Sequence, residues 1–234
     1  MTTSMKFRLT ATQQRLAEAA RQAGRDPSAI HLLAVSKTQP AEVIQAAYDA
    51  GLRAFGENYI QEAVDKQPQL PADIEWHCIG PVQSNKSKLV AEHFDWCHTV
   101  DSLRLAERLN NQRPLALPPL NVCIQLHVGG EDNKSGISAD EVPVVAAAIA
   151  EMPRLRLRGL MTIPPASDDP AEQRRWFAEA RAVYEQLRAQ QPTVDTLSMG
   201  MSGDLEAAIA EGSTMIRVGS ALFGARPQKI EKAA

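Results

Sequence analysis

Cysteine is scarce in this sequence: Cys78, Cys97 and Cys123 are the three among 234 residues. An odd number at irregular spacing gives no disulfide framework and suits a reducing compartment. No apolar run approaches the length that crosses a bilayer. The opening "MTTSMKFRLT" lacks the apolar stretch and small-residue cleavage site of a secretory signal. An excess of one charge is also missing. With 25 Lys and Arg against 28 Asp and Glu, the formal net charge is -3, and nothing draws the whole chain to nucleic acid or an anionic membrane. The basic stretch "PRLRLRGL" has no interleaved aromatics for base stacking and reads as a strand with one polar face. These shortages predict a soluble cytoplasmic protein without nucleic-acid or membrane partners.

What is present is a regular beat. After an amphipathic helix, "TATQQRLAEAARQAG", short apolar segments alternate with helical ones. The apolar segments begin at "HLLAVSK", "AFGEN", "EWHCIG", "DWCHTV", "LNVCIQLHV", "LRLRGLMTI", "TLSMG" and "MIRVGSALFG". Alternation of this kind implies a parallel sheet covered by helices. Eight repeats match the size of a (β/α)8 barrel. A doubly wound open sheet is the runner-up, but no G-x-G-x-x-G follows the first strand. The expected fold is therefore α/β: a single (β/α)8 TIM barrel with an extra N-terminal helix, one domain over residues 1–234.

Barrel sites lie at the C-terminal ends of the strands. That rule nominates Lys37, Asn58, His77, Gly80, Met161, Ser198 to Ser202 and Arg217 to Ser220. A lysine at a strand end, its stem enclosed by apolar neighbours, can form an imine with a carbonyl; it can equally just reach solvent. The loops after strands 7 and 8, "LSMGMSGD" and "IRVGSALFG", place glycines and serines where barrels of this kind often hold phosphate. The same residues also serve as ordinary helix caps. Lysine plus phosphate cradle leaves two ligand classes, a sugar phosphate or pyridoxal 5'-phosphate. Arg217, on the same side of its strand as Gly219, discriminates between them: it can meet a ring nitrogen while the loop holds the phosphate, or it can be a structural arginine paired with a carboxylate.

The stretches "AVSKTQP", "FGENYIQEAVDK", "EWHCIGPVQSNKSK" and "LSMGMSGDLEAAIAEGSTMIRVGSALFGAR" together resemble the pyridoxal phosphate homeostasis protein family, which is similar to the barrel domain of alanine racemase. The resemblance runs from about residue 8 to Arg226. It implies an imine between Lys37 and pyridoxal phosphate, with Ser202, Gly219 and Ser220 at the phosphate and Arg217 at the pyridine nitrogen. Asn58, His77, Met161 and Ser198 are implied to line the ring. Gln39 stands where many members carry a second basic residue.

An arginine at the ring nitrogen disfavours its protonation and weakens the ring as an electron sink. The racemase relatives also rely on a second domain with an acid/base tyrosine, which this sequence is too short to contain. The expected role is therefore storage, buffering or delivery of the cofactor by a monomer, with apo-enzymes as acceptors. The alternatives are a small racemase- or decarboxylase-like enzyme and an imine-forming aldolase. His93, Cys97 and His98 look metal-like but lack a C-x-x-C partner.

Overall fold

A computed structural model describes residues 4–129 and 135–224. Its strands are β1 (His31–Val35), β2 (Ala54–Glu57), β3 (Glu75–Cys78), β4 (Trp96–Val100), β5 (Leu120–Gln125), β6 (Leu155–Met161), β7 (Thr196–Ser198) and β8 (Met215–Val218). All pair in parallel in sequence order, and β8 closes on β1 with His31 opposite Met215 and Ala34 opposite Val218. The result is the (β/α)8 barrel expected from the alternation.

The helices are α1 (Met5–Gln22), α2 (Ala41–Asp49), α3 (Ile60–Lys66), α4 (Ser87–His93), α5 (Leu103–Gln112), α6 (Val142–Ala150), α7 (Pro170–Gln190), α8 (Leu205–Ala210) and α9 (Ser220–Phe223). Helix α1 is the extra N-terminal helix. It starts five residues before the periodic pattern, because Ser4 Oγ accepts the Phe7 N–H and caps it. The tail 225–234 lies outside the described residues, and no helix among those described is long and apolar enough to cross a membrane.

Most of the core lies between sheet and helices, where Ile44, Phe55, Phe94, Leu109 and Phe177 are almost wholly buried. Each such side chain contributes about 1.5–3 kcal/mol over leaving it in water. Inside the barrel, one apolar cluster joins Leu33, Ile79 and Met215 and another joins Trp96, Cys123 and Met161. Branched aliphatic side chains usually fill such an interior. Here four polar residues, His77, His98, Ser198 and Arg217, are buried as well. Strand alternation turns Cys78 the other way, into the helix-facing core with Cys97.

Candidate functional site

Lys37 sits in a strained turn. Residues Ser36–Lys37–Thr38–Gln39 close on a hydrogen bond from the Gln39 N–H to the Ser36 carbonyl, 3.0 Å. Thr38, third in the turn, has φ +66°. A type II turn requires a positive φ there and normally uses Gly or Asn. For a β-branched residue this conformation costs on the order of 1–3 kcal/mol.

A buried ion cluster holds the turn in place. The Thr38 N–H donates to Glu62 Oε1 at 3.1 Å, and Lys66 Nζ donates to Glu57 Oε1 (2.8 Å), Glu62 Oε1 (3.0 Å) and the Gln39 carbonyl (3.2 Å). Ser36 Oγ donates to Glu57 Oε1 at 2.6 Å. Glu57 is fully buried, and that burial raises its pKa above the usual carboxylate range against the pull of Lys66. Both ends of the Lys37 turn are thereby tied to the frame.

The turn borders a cavity of about 310 Å³ at the C-terminal mouth of the barrel. Val35, Lys37 and Gln39 line it from β1 and its turn, Asn58 from the end of β2, Met201 to Gly203 from the loop after β7, and Arg217, Gly219 and Ser220 from β8 and beyond. The β7 loop turns at Gly200, φ +94°, where a Cβ would sit 2.5 Å from that of Ala208. The loop is also gripped from outside. Arg15 on α1 donates to the Ser202 carbonyl at 2.8 Å while paired bidentately with Glu206 at 2.6 and 2.7 Å.

Arg217 forms the polar floor and is 4% exposed. Its Nη1 donates to the Ser198 carbonyl (2.7 Å) and Oγ (2.9 Å), and its Nη2 to the Thr162 carbonyl (2.9 Å). These acceptors are all uncharged. Burial lowers its pKa to about 10, with Asp204 pulling the other way, so it stays cationic at neutral pH. An amine, a fixed cation and two loops rich in Gly and Ser suit a small anionic ligand bearing a carbonyl.

The family model for the alanine racemase N-terminal domain matches residues 8–227. The pyridoxal phosphate homeostasis protein of Escherichia coli is 55% identical over 222 residues, covering 93% of this chain and 95% of that protein. The chain belongs to the pyridoxal phosphate homeostasis protein family. The family's Pseudomonas aeruginosa protein is 55% identical over 214 residues, with 91% of each chain covered. Among solved structures, PipY of Synechococcus elongatus with pyridoxal phosphate bound is 41% identical with a TM-score of 0.76, covering 89% of this chain and 100% of that one. Alanine racemase of Corynebacterium glutamicum, 19% identical with a TM-score of 0.66, covers 97% of this chain and 63% of its own, and shares the fold.

In this member of the homeostasis protein family the nominated residues fall at two depths. Lys37, Asn58, Ser202, Arg217, Gly219 and Ser220 line the cavity. His77, Met161 and Ser198, expected to line the ligand's ring, are not among its lining residues: each is wholly buried in the barrel interior beneath it. Their side chains point inwards, but a layer below the mouth. Gly80 is not among the lining residues either; it packs against the Asn58 backbone so closely that a Cβ there would collide with it. Sequence reasoning missed Glu57, Glu62, Lys66 and Arg15. An acidic residue ending an apolar strand, "FGEN", and a Glu–Lys pair four apart on the next helix were the available signals.

Proposed function

We propose that this protein binds pyridoxal 5'-phosphate through Lys37 and stores, buffers or delivers it inside the cell, one barrel domain over residues 1–234 serving that role. Ser202, Gly219 and Ser220 hold the phosphate, Arg217 faces the ring nitrogen, and Asn58 borders the ring. His77, Met161 and Ser198 act from beneath. The observation that carries this reading is the constrained lysine turn opening onto a cavity floored by a buried arginine. Support comes from the homeostasis proteins at 55% identity and from PipY, whose structure has pyridoxal phosphate bound.

The residues present fit the group. The cavity has room for a phosphorylated pyridine ring, the loops after β7 and β8 supply hydroxyls and backbone N–H groups, and Arg217 is a donor that never accepts. When bound, pyridoxal phosphate supplies an aldehyde for a lysine amine and a ring that can withdraw electrons. Arg217 disfavours protonation of that ring, because a second positive charge beside it is repelled. Among the described residues that line the cavity, Lys37 and Arg217 are the ionisable ones. Two-sided proton transfer needs a further acid or base in reach. Tyr48 is engaged with Asp73, Tyr59 is exposed at the start of α3, and Tyr184 borders the opposite mouth. These features favour binding over turnover, with apo-enzymes as recipients of the cofactor.

Borohydride reduction followed by peptide mass mapping tests the assignment. A phosphopyridoxyl group on Lys37, absent in Lys37→Ala, is the expected result. A protein that takes up no pyridoxal phosphate and reacts only with an added sugar phosphate would point to an aldolase. Sustained amino-acid racemisation or decarboxylation, lost in Lys37→Ala, would make it an enzyme.

A further inference from the structure

Arg217 is held from below by a hydrogen-bond chain that crosses the barrel. Ser198 Oγ, which accepts from Arg217 Nη1, lies 3.0 Å from His98 Nδ1. His98 Nε2 lies 2.9 Å from His77 Nδ1, and His77 Nε2 lies 2.8 Å from Glu75 Oε1. The serine and both imidazoles are fully buried. Glu75 opens β3, and its side chain is 49% exposed. It borders a second cavity, of about 610 Å³, lined by the first residues of β1, β2, β4, β7 and β8. The chain therefore runs from one mouth of the barrel to the other.

Its two ends fix its direction. Arginine only donates and an ionised carboxylate only accepts. His77, neutral, must carry its proton on Nε2 to reach Glu75, which leaves Nδ1 as an acceptor. His98 must then carry its proton on Nε2 as well, and its Nδ1 accepts from the Ser198 hydroxyl. The serine oxygen is left with its lone pairs towards Arg217. Burial favours the neutral form of both rings, most strongly for His98, where His77 and Arg217 add to the effect. Every donor in the series points away from Arg217 and towards Glu75.

We propose that His98 and His77 are positioning residues of the cofactor site: through Ser198 they fix the guanidinium of Arg217 and tie its orientation to Glu75 at the far mouth. This rests on Arg217 facing the ring nitrogen of pyridoxal phosphate. Were His98 to present an N–H to Ser198, the serine proton would swing towards Arg217 Nη1. The guanidinium would lose one of its three bonds and be held by the Ser198 and Thr162 carbonyls alone. A purely packing role for the two rings would be indifferent to which nitrogen is protonated and to an exposed carboxylate on the other side of the barrel.

The test pairs two readouts. Nitrogen-15 NMR of the ligand-free protein should show His77 and His98 neutral with the proton on Nε2. Pyridoxal 5'-phosphate titration should show Glu75→Ala weakening binding about threefold to tenfold, the loss of one net hydrogen bond. A shift of the bound cofactor's absorbance band should accompany that change. Glu75→Gln, which keeps a carbonyl acceptor, should restore wild-type binding, and Arg188→Ala, in the same cavity but outside the relay, should leave it unchanged. His98→Phe should match or exceed the Glu75→Ala loss; if it fails to fold, the exposed Glu75 variants and the NMR still decide. A proton on His98 Nδ1, or wild-type affinity and absorbance in Glu75→Ala, would overturn the proposal. Failure of the wild type to bind pyridoxal phosphate would instead sink the functional reading and the positioning role together.

Discussion

Replacing Lys66 by methionine keeps an unbranched side chain one atom shorter and removes the cation beneath the Lys37 turn. Glu57 is then left in a fully buried site with the Ser36 hydroxyl on Oε1 and no partner on Oε2. Removing one member of a buried pair costs about 3–5 kcal/mol. The protein can limit the damage by protonating Glu57. At pH 7 that means binding a proton about 2.7 pH units above the ordinary glutamate pKa, at about 1.4 kcal/mol each, or about 3.7 kcal/mol. Both routes agree, and about 3–4 kcal/mol lowers Tm by roughly 6–16 °C in a protein of this size.

The sign with pH follows from the same linkage. A carboxyl whose folded pKa is raised contributes stability that is fully present below its unfolded pKa and lost as pH rises through the folded one. In Lys66→Met the Glu57 pKa climbs further, so the penalty should shrink to about 1 kcal/mol at pH 5. Urea unfolding of wild type, Lys66→Met and Lys66→Met/Glu57→Gln at pH 7 and pH 5 measures it. The double variant should recover most of the loss at pH 7. A single-variant penalty under about 1 kcal/mol at pH 7, unchanged at pH 5, would refute the reasoning.

Three further outcomes are expected. Thr38→Gly should leave stability within about 1 kcal/mol of wild type, since relief of the positive φ offsets the entropy of glycine; a larger loss in urea unfolding would give the threonine side chain a packing role. Gly200→Ala should destabilise by about 2 kcal/mol or more through its positive φ and the contact with Ala208, and a scanning-calorimetry Tm equal to wild type would contradict that turn. Arg15→Ala should weaken pyridoxal phosphate binding about twofold to tenfold by freeing the Ser202 loop, with under about 1 kcal/mol lost in stability; unchanged binding would show that the loop needs no outside grip.

The barrel was legible because alternation of apolar runs and amphipathic helices is a long-range pattern that single residues cannot hide. Lys37, Arg217 and the two Gly- and Ser-bearing loops were legible because barrel geometry sends strand ends to one mouth. Depth was not legible. Period-2 alternation says that His77 points inwards, but not that it lies a layer below the cavity, bonded to His98 on the next strand. The strain at Thr38 was equally hidden, because threonine carries no signal for a positive φ and the cluster that enforces it comes from β2 and α3. His98 looked like a stray metal ligand because its partners, His77 and Ser198, are 21 and 100 residues away in sequence.

The closure of β8 on β1 has a consequence for synthesis. Lys37 follows the first strand and Arg217 lies in the last, so the ligand cavity is assembled from two ends of the chain's path. About 180 residues separate them, and at roughly 5–20 residues per second the ribosome needs on the order of 10–40 s to make that stretch. Throughout that time one edge of β1 waits without the neighbour it will pair with, a template for wrong partners. A nascent chain arrested before residue 215 lacks the Arg217 floor of the cavity and the wall from Gly219 to Gly224. Ligand uptake therefore reports that the ring has closed.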